Sequence, residues 1–203
     1  MKRCQILKSV VLASASPRRK ELLKQCGVRL NIDPSHTDET TQLIRPSAIV
    51  KELAQRKARS VAQGYQRGIV IGADTIVVYR NEIIGKPLDR RDAFRILSKL
   101  NGTCHRVYTG IAIIDTVKKI MKVDYDVSTV YLRRLSAQEL TGFAGKHMDK
   151  AGAYAVQEAE DRFVERIEGD YYNVVGLPLV KLNKMLKGMG YCLPQVPKAL
   201  PVL

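Results

Sequence analysis

The 203-residue sequence predicts an α/β domain built on a mixed, partly antiparallel central sheet flanked by helices. Three observations predict it. Runs rich in Val and Ile alternate with stretches of helical period, the pattern of strands linked by helices. Two long β-type runs, 104–115 and 119–132, are separated only by the polar Thr116-Val117-Lys118, so at least one strand pair is antiparallel. No repeat and no low-complexity linker divides the chain, which reads as one domain over 1–190. A tail over 191–203 follows, where Pro194, Pro197 and Pro201 oppose regular structure.

The elements follow in order. Val10-Val11-Leu12-Ala13 is a buried strand ending in Ser14-Ala15-Ser16. Ser16 is then the N-cap of a helix with Pro17 at its first position and Gly27 just past its end, because proline suits the first turn and glycine the stop. Residues 28–32 form a second strand. A helix from Pro46 to about Ala62 carries Ile49, Val50, Leu53, Ala54, Ala58 and Val61 along one face. Residues 69–79 read as one strand with Ala73-Asp74 inside it, and Arg80-Asn81 turns the chain back into 82–84. Asp89 caps a helix to Leu100, which Asn101-Gly102 ends. After the two long β runs, Ser136 caps a short helix, with Glu139 completing a capping box. The apolar run 174–177 and a helix over 178–186 close the fold.

Composition narrows the function. Hydrophobic residues make up 45% and charged residues 27%, which excludes a disordered or collagen-like chain, and no apolar run is long enough to span a bilayer. The first residues do not read as a secretory signal. Cys4, Cys26, Cys104 and Cys192 form no CxxC pair, so the sequence points to free thiols in a reducing cytoplasm instead of a disulfide framework or zinc site. The net charge of +14 gathers at the two ends of the chain, which suggests a polyanionic partner. No basic strand carries interleaved aromatics for stacking bases, so nucleic-acid binding is expected to be weak and sequence-blind at most.

P-loop, dinucleotide-fold, zincin and nucleophile-elbow motifs are all missing from the sequence. His36, His105 and His147 have no acidic or nucleophilic neighbour that would mark them as catalytic. What remains is a set of polar residues at element ends. Ser14, Ser16, Arg18 and Arg19 stand at a strand-to-helix junction, where free amides and the helix dipole favour an anion and arginine suits phosphate. Asp74 lies inside an apolar strand, where an unpaired charge is costly, so it is expected to have a cation or a catalytic duty. Lys86 in Gly85-Lys86-Pro87 lies within reach of the same sheet end, and Asp38-Glu39 offers a second carboxylate for a hard cation such as Mg²⁺.

Together these motifs resemble the Maf family of nucleoside triphosphate pyrophosphatases. The matching stretches, in family order over about residues 8 to 188, begin with Ser14-Ala15-Ser16-Pro17-Arg18-Arg19, Asp38-Glu39-Thr40 and Leu53-Ala54-Gln55-Arg56-Lys57-Ala58. Gly72-Ala73-Asp74-Thr75, Gly85-Lys86-Pro87 and Val107-Tyr108-Thr109-Gly110 follow. Asp149-Lys150-Ala151-Gly152-Ala153-Tyr154-Ala155-Val156-Gln157 and Asn173-Val174-Val175-Gly176-Leu177-Pro178 complete them. The resemblance implies an elongated fold like that of the inosine triphosphate pyrophosphatases, with a central cleft and a homodimeric assembly. After Gln157 the family usually has a glycine-containing turn, whereas this chain reads Glu158-Ala159-Glu160-Asp161.

The implied reaction is hydrolysis of the α–β phosphoanhydride to a nucleoside monophosphate and pyrophosphate. Arg18, Lys57 and Lys86, with Arg19 beside them, are expected to meet the phosphates. Glu39 and Asp74 would hold Mg²⁺ or Mn²⁺, with Asp74 activating the water. Ser14, Thr75 and Gln157 would contact the nucleotide. The stretch from Ala151 to Gln157 resembles the dTTP/UTP branch of the family and not the 7-methyl-GTP branch. The competing readings are a nucleic-acid- or division-partner-binding regulatory protein without turnover and a 7-methyl-GTP-preferring pyrophosphatase.

Overall fold

The structure is a computed structural model and describes residues 4–154 and 163–197. Its strands and helices, in chain order, are β1 (Gln5–Ile6), β2 (Ser9–Leu12), α1 (Pro17–Gln25), β3 (Arg29–Ile32), α2 (Pro46–Ala62), β4 (Ile69–Tyr79), β5 (Glu82–Ile84) and α3 (Arg90–Leu100). They continue with β6 (Cys104–Asp115), β7 (Ile120–Leu132), α4 (Ala137–Phe143), β8 (Val164–Glu168), α5 (Tyr171–Val175), α6 (Leu179–Lys187) and β9 (Tyr191–Cys192).

The main sheet runs β3-β2-β4-β6-β7-β8, with β5 also on β4. β2 lies parallel to β3 and β4, while β4–β6, β6–β7 and β7–β8 are antiparallel, so the sheet is mixed as the sequence predicts. Helices cover it because the central strands β2, β4 and β6 bury apolar residues. One apolar cluster joins β2, α1 and α6 around Leu12, Leu23, Ile71 and Leu182. A second joins α3, α4 and the far end of β6 and β7 around Leu97, Leu100, Val107 and Val130. Among the described residues no helix is long and apolar enough to cross a membrane.

Local chemistry explains the boundaries. The Ser16 hydroxyl accepts from the Arg19 amide, and the Asp89 carboxylate from the Asp92 amide at 2.7 Å. Both halves of the Ser136–Glu139 capping box form. Arg80 and Asn81 take φ of 49° and 67°, the left-handed pair a tight two-residue hairpin requires. The β6–β7 turn is tied by the Asp115 carboxylate, which accepts from the amides of Val117 and Lys118.

Two expectations are corrected. The tail does not leave the fold at residue 190: β9 pairs in parallel with β1, Leu193 is buried, and the Gln195 side chain donates to the Gln25 carbonyl at 2.6 Å. Prolines 194 and 197 come after this strand, so they limit its length without preventing it. Nor are all four cysteines free thiols. Cys4 and Cys192 form a disulfide, their Cα atoms 5.8 Å apart, while Cys26 and Cys104 are unpaired. Their separation of 188 residues hides the pair from any spacing rule, and the β1–β9 contact brings it together. The short elements β1, β8, α5 and β9 also go unread in the sequence, being too short to show a period.

Candidate active site

The site begins with a gap in a ladder. β6 covers one edge of β4 from Ile69 to Val78. On the other edge, β2 pairs only as far as Ile71, and β5 begins only at Val77. The intervening edge of β4, with Asp74 at its centre, opens into a cleft of about 410 Å³.

The next constraint is how closely α2 lies on the sheet. In the antiparallel register Asp74 stands opposite Gly110, and Gly72 opposite Ala112, so all four share one face. A β-carbon on Gly72 would meet the Ala58 amide nitrogen at 2.7 Å, and one on Gly110 would overlap the Val50 carbonyl. The absent side chains let the helix backbone rest on the strands. This contact aims Lys57 at Asp74, with Nζ at 2.7 Å from the carboxylate Oδ1 and 2.6 Å from the Glu39 carboxylate. The Lys57 and Asp74 side chains are 11% and 9% exposed, so the ammonium compensates a buried carboxylate. The hydrogen bond from Lys57, with the positive fields of Lys57, Lys86 and Arg19, holds the Glu39 carboxyl below its usual range. Two carboxylates thus converge on one cation.

Thr75, on the opposite face of β4, meets the start of α1. The Arg19 guanidinium donates from Nε to the Gly176 carbonyl at 2.9 Å, and from its two terminal nitrogens to Ser14 and Thr75, each at 3.0 Å. Desolvation in the cleft wall lowers its pKa, and the negative field of Asp74 works against that shift. Arg18 also lines the cleft; burial lowers its pKa while Asp149 opposes the change. Asp149 is itself held below the usual carboxylate range, first by its hydrogen bond from Lys150. Lys86 lines the cleft beyond β5.

The structure therefore brings Ser14, Arg18, Arg19, Glu39, Lys57, Asp74, Thr75 and Lys86 to one cleft from five separate segments. Gln157 and the acidic stretch 158–161 lie outside the described residues. Sequence reasoning gave no role to Asp149, Lys150 and Tyr154, which also line the cleft, nor to buried Thr109 and Asn173 behind it. Their only signal was membership in the quoted motifs. His105 is no catalyst in the cleft but a buried partner of Tyr154, its Nε2 2.5 Å from the phenol oxygen.

Comparison with known proteins agrees with this arrangement. The family model described as Maf-like protein matches residues 9–189. The dTTP/UTP pyrophosphatase of Elusimicrobium minutum is 46% identical over 182 residues, covering 90% of this chain and 99% of that protein. That of Pelotomaculum thermopropionicum is 45% identical over 188 residues, covering 91% and 98%. The structure of the Staphylococcus aureus Ham1 protein superposes with a TM-score of 0.53 at 15% identity, over 90% of this chain and all of that one. That last likeness concerns the fold alone. A family match over residues 9–189, with 46% identity to a relative across 90% of the chain, makes the chain a member of the Maf family.

Proposed function

We propose that the chain is a nucleoside triphosphate pyrophosphatase that takes dTTP and UTP, splitting the α–β phosphoanhydride. The observation that carries this reading is Asp74: a carboxylate at an open strand edge, in a cleft also lined by Arg18, Lys57 and Lys86. Relatives named dTTP/UTP pyrophosphatase, matched over nearly their full length, support the same substrates.

Arg18, Lys57 and Lys86 neutralise phosphate charge, and Arg18 has the geometry for two phosphate oxygens. Water attacks the α-phosphorus, its proton passes to Asp74, and the bridging oxygen leaves with pyrophosphate. Glu39 and Asp74 suit a divalent cation, since both already converge on the Lys57 ammonium and both offer hard oxygens. Mg²⁺ and Mn²⁺ are the ions this reading assigns, since Mg²⁺ is commonly held by one or two carboxylates together with substrate phosphates. When bound, such an ion supplies charge neutralisation at the phosphates. The same reading takes the chain as a cytoplasmic homodimer.

A product assay across dTTP, UTP, CTP, GTP and 7-methyl-GTP tests it. Pyrophosphate is the expected first product, fastest from dTTP and UTP and abolished by EDTA. Orthophosphate as first product overturns the reaction; preference for a guanine nucleotide overturns only the substrate.

A further inference from the structure

Two hydroxyls, Ser14 and Thr75, line the cleft on either side of Arg19, and counting their protons gives them opposite polarities. A hydroxyl has one proton to donate and two lone pairs to accept with. The Ser14 oxygen accepts from the Ser16 amide at 3.2 Å and from Arg19 at 3.0 Å. Both its lone pairs are engaged, so toward the cleft Ser14 presents a proton. Thr75 is the reverse. Behind it, buried Thr109 gives its only proton to the Asn173 carbonyl at 2.9 Å. In the 3.0 Å contact between the two threonines, Thr109 must therefore accept and Thr75 must donate. Thr75 also accepts from Arg19, so one lone pair is all that it has left for the cleft.

We propose that Thr109 is a positioning residue for specificity: it takes the Thr75 proton and thereby makes Thr75 an acceptor-only group that receives the N3–H of thymine or uracil. Phosphate oxygens only accept at neutral pH, so an acceptor-only hydroxyl does not serve them. The cleft wall near Thr75 also carries the apolar Val77, Val107 and Val174, a surface suited to a base. Cytosine presents a lone pair at N3 and meets the lone pair of Thr75 unfavourably. A site whose polar groups are committed in this way rejects the mismatched edge. The inference rests on the pyrophosphatase reading above and deepens it.

The test is kcat/KM for UTP and CTP in the wild type, Thr109→Val, Thr109→Ser and Thr75→Val. The wild type is expected to prefer UTP. Thr109→Val frees the Thr75 proton to point at cytosine N3, so kcat/KM for CTP should rise by about tenfold while UTP stays within about threefold. A merely structural role predicts the opposite, with both substrates falling together. Thr109→Ser keeps the relay and should keep the wild-type ratio. Equal wild-type use of UTP and CTP, an unchanged ratio in Thr109→Val, or a joint fall overturns the relay. Should Thr109→Val fail to fold, Thr75→Val decides: loss of the UTP preference supports the relay, and its retention overturns it. A wild type that hydrolyses neither nucleotide overturns the pyrophosphatase reading, and the relay with it.

Discussion

At the scale of single residues, Asp74 and His105 show how burial assigns opposite duties to titratable groups. Asp74 is buried against a cation at the cleft, and its nearly isosteric amide can neither take a proton from water nor bind a metal well. Asp74→Asn should reduce pyrophosphate release by at least about 10²-fold in a variant that still folds. A variant keeping more than about a tenth of the wild-type rate would make Asp74 structural. His105 is buried, and desolvation pushes its pKa down to about 4. The unfolded chain then binds the proton first, near pH 6.5. Stability from neutral His105 is complete above about pH 6.5 and is lost as pH falls to about 4, by up to about 3 kcal/mol. The melting temperature should drop across that window, and His105→Gln should flatten the drop.

At the scale of elements, α2 and the β4–β6 pair pack as one unit. The helix reaches Asp74 only because Gly72 and Gly110 leave room for its backbone. In Gly110→Ala the new methyl group overlaps the Val50 carbonyl, so α2 must lift away. We expect a loss of about 1–3 kcal/mol in urea unfolding, from the shift in midpoint. Activity should fall as well, because Lys57 leaves the 2.7 Å contact with Asp74. Normal stability with normal kcat would mean the helix has slack that its packing does not suggest.

At the scale of the whole molecule, the ends of the chain are joined twice, by the β1–β9 pairing and by the Cys4–Cys192 disulfide. A cross-link closing 188 residues removes much of the freedom of the unfolded chain. Reduction, or Cys4→Ser, should therefore cost about 2–4 kcal/mol of stability. The cleft lies at β4, α1 and α2, so kcat should change little. Denaturant melts with and without dithiothreitol, alongside activity, check both halves; coincident melts would show that the pairing contributes nothing.

Much of this protein is determined locally, and that part is legible in its sequence. The 17-residue α2, the capped α1 and α3, the Arg80-Asn81 turn and the strand holding Asp74 all follow from periodicity, caps and turn chemistry within a few residues. The oddity of Asp74 is legible too, because a carboxylate in an apolar strand is costly wherever that strand ends up. Tertiary structure alone decides the rest, since it depends on partners far apart in the chain. Lys57 meets Asp74 through the backbone contact at Gly72 and Gly110, and Thr109 meets Thr75 through the register of β4 and β6. Cys4 meets Cys192 through the β1–β9 pairing, and two residues of β1 or β9 form a strand only when the other is there to share their hydrogen bonds. Short-range preference specifies the elements. Long-range pairing, whose free energy exists only in the assembled fold, specifies which side chains face one another across the cleft.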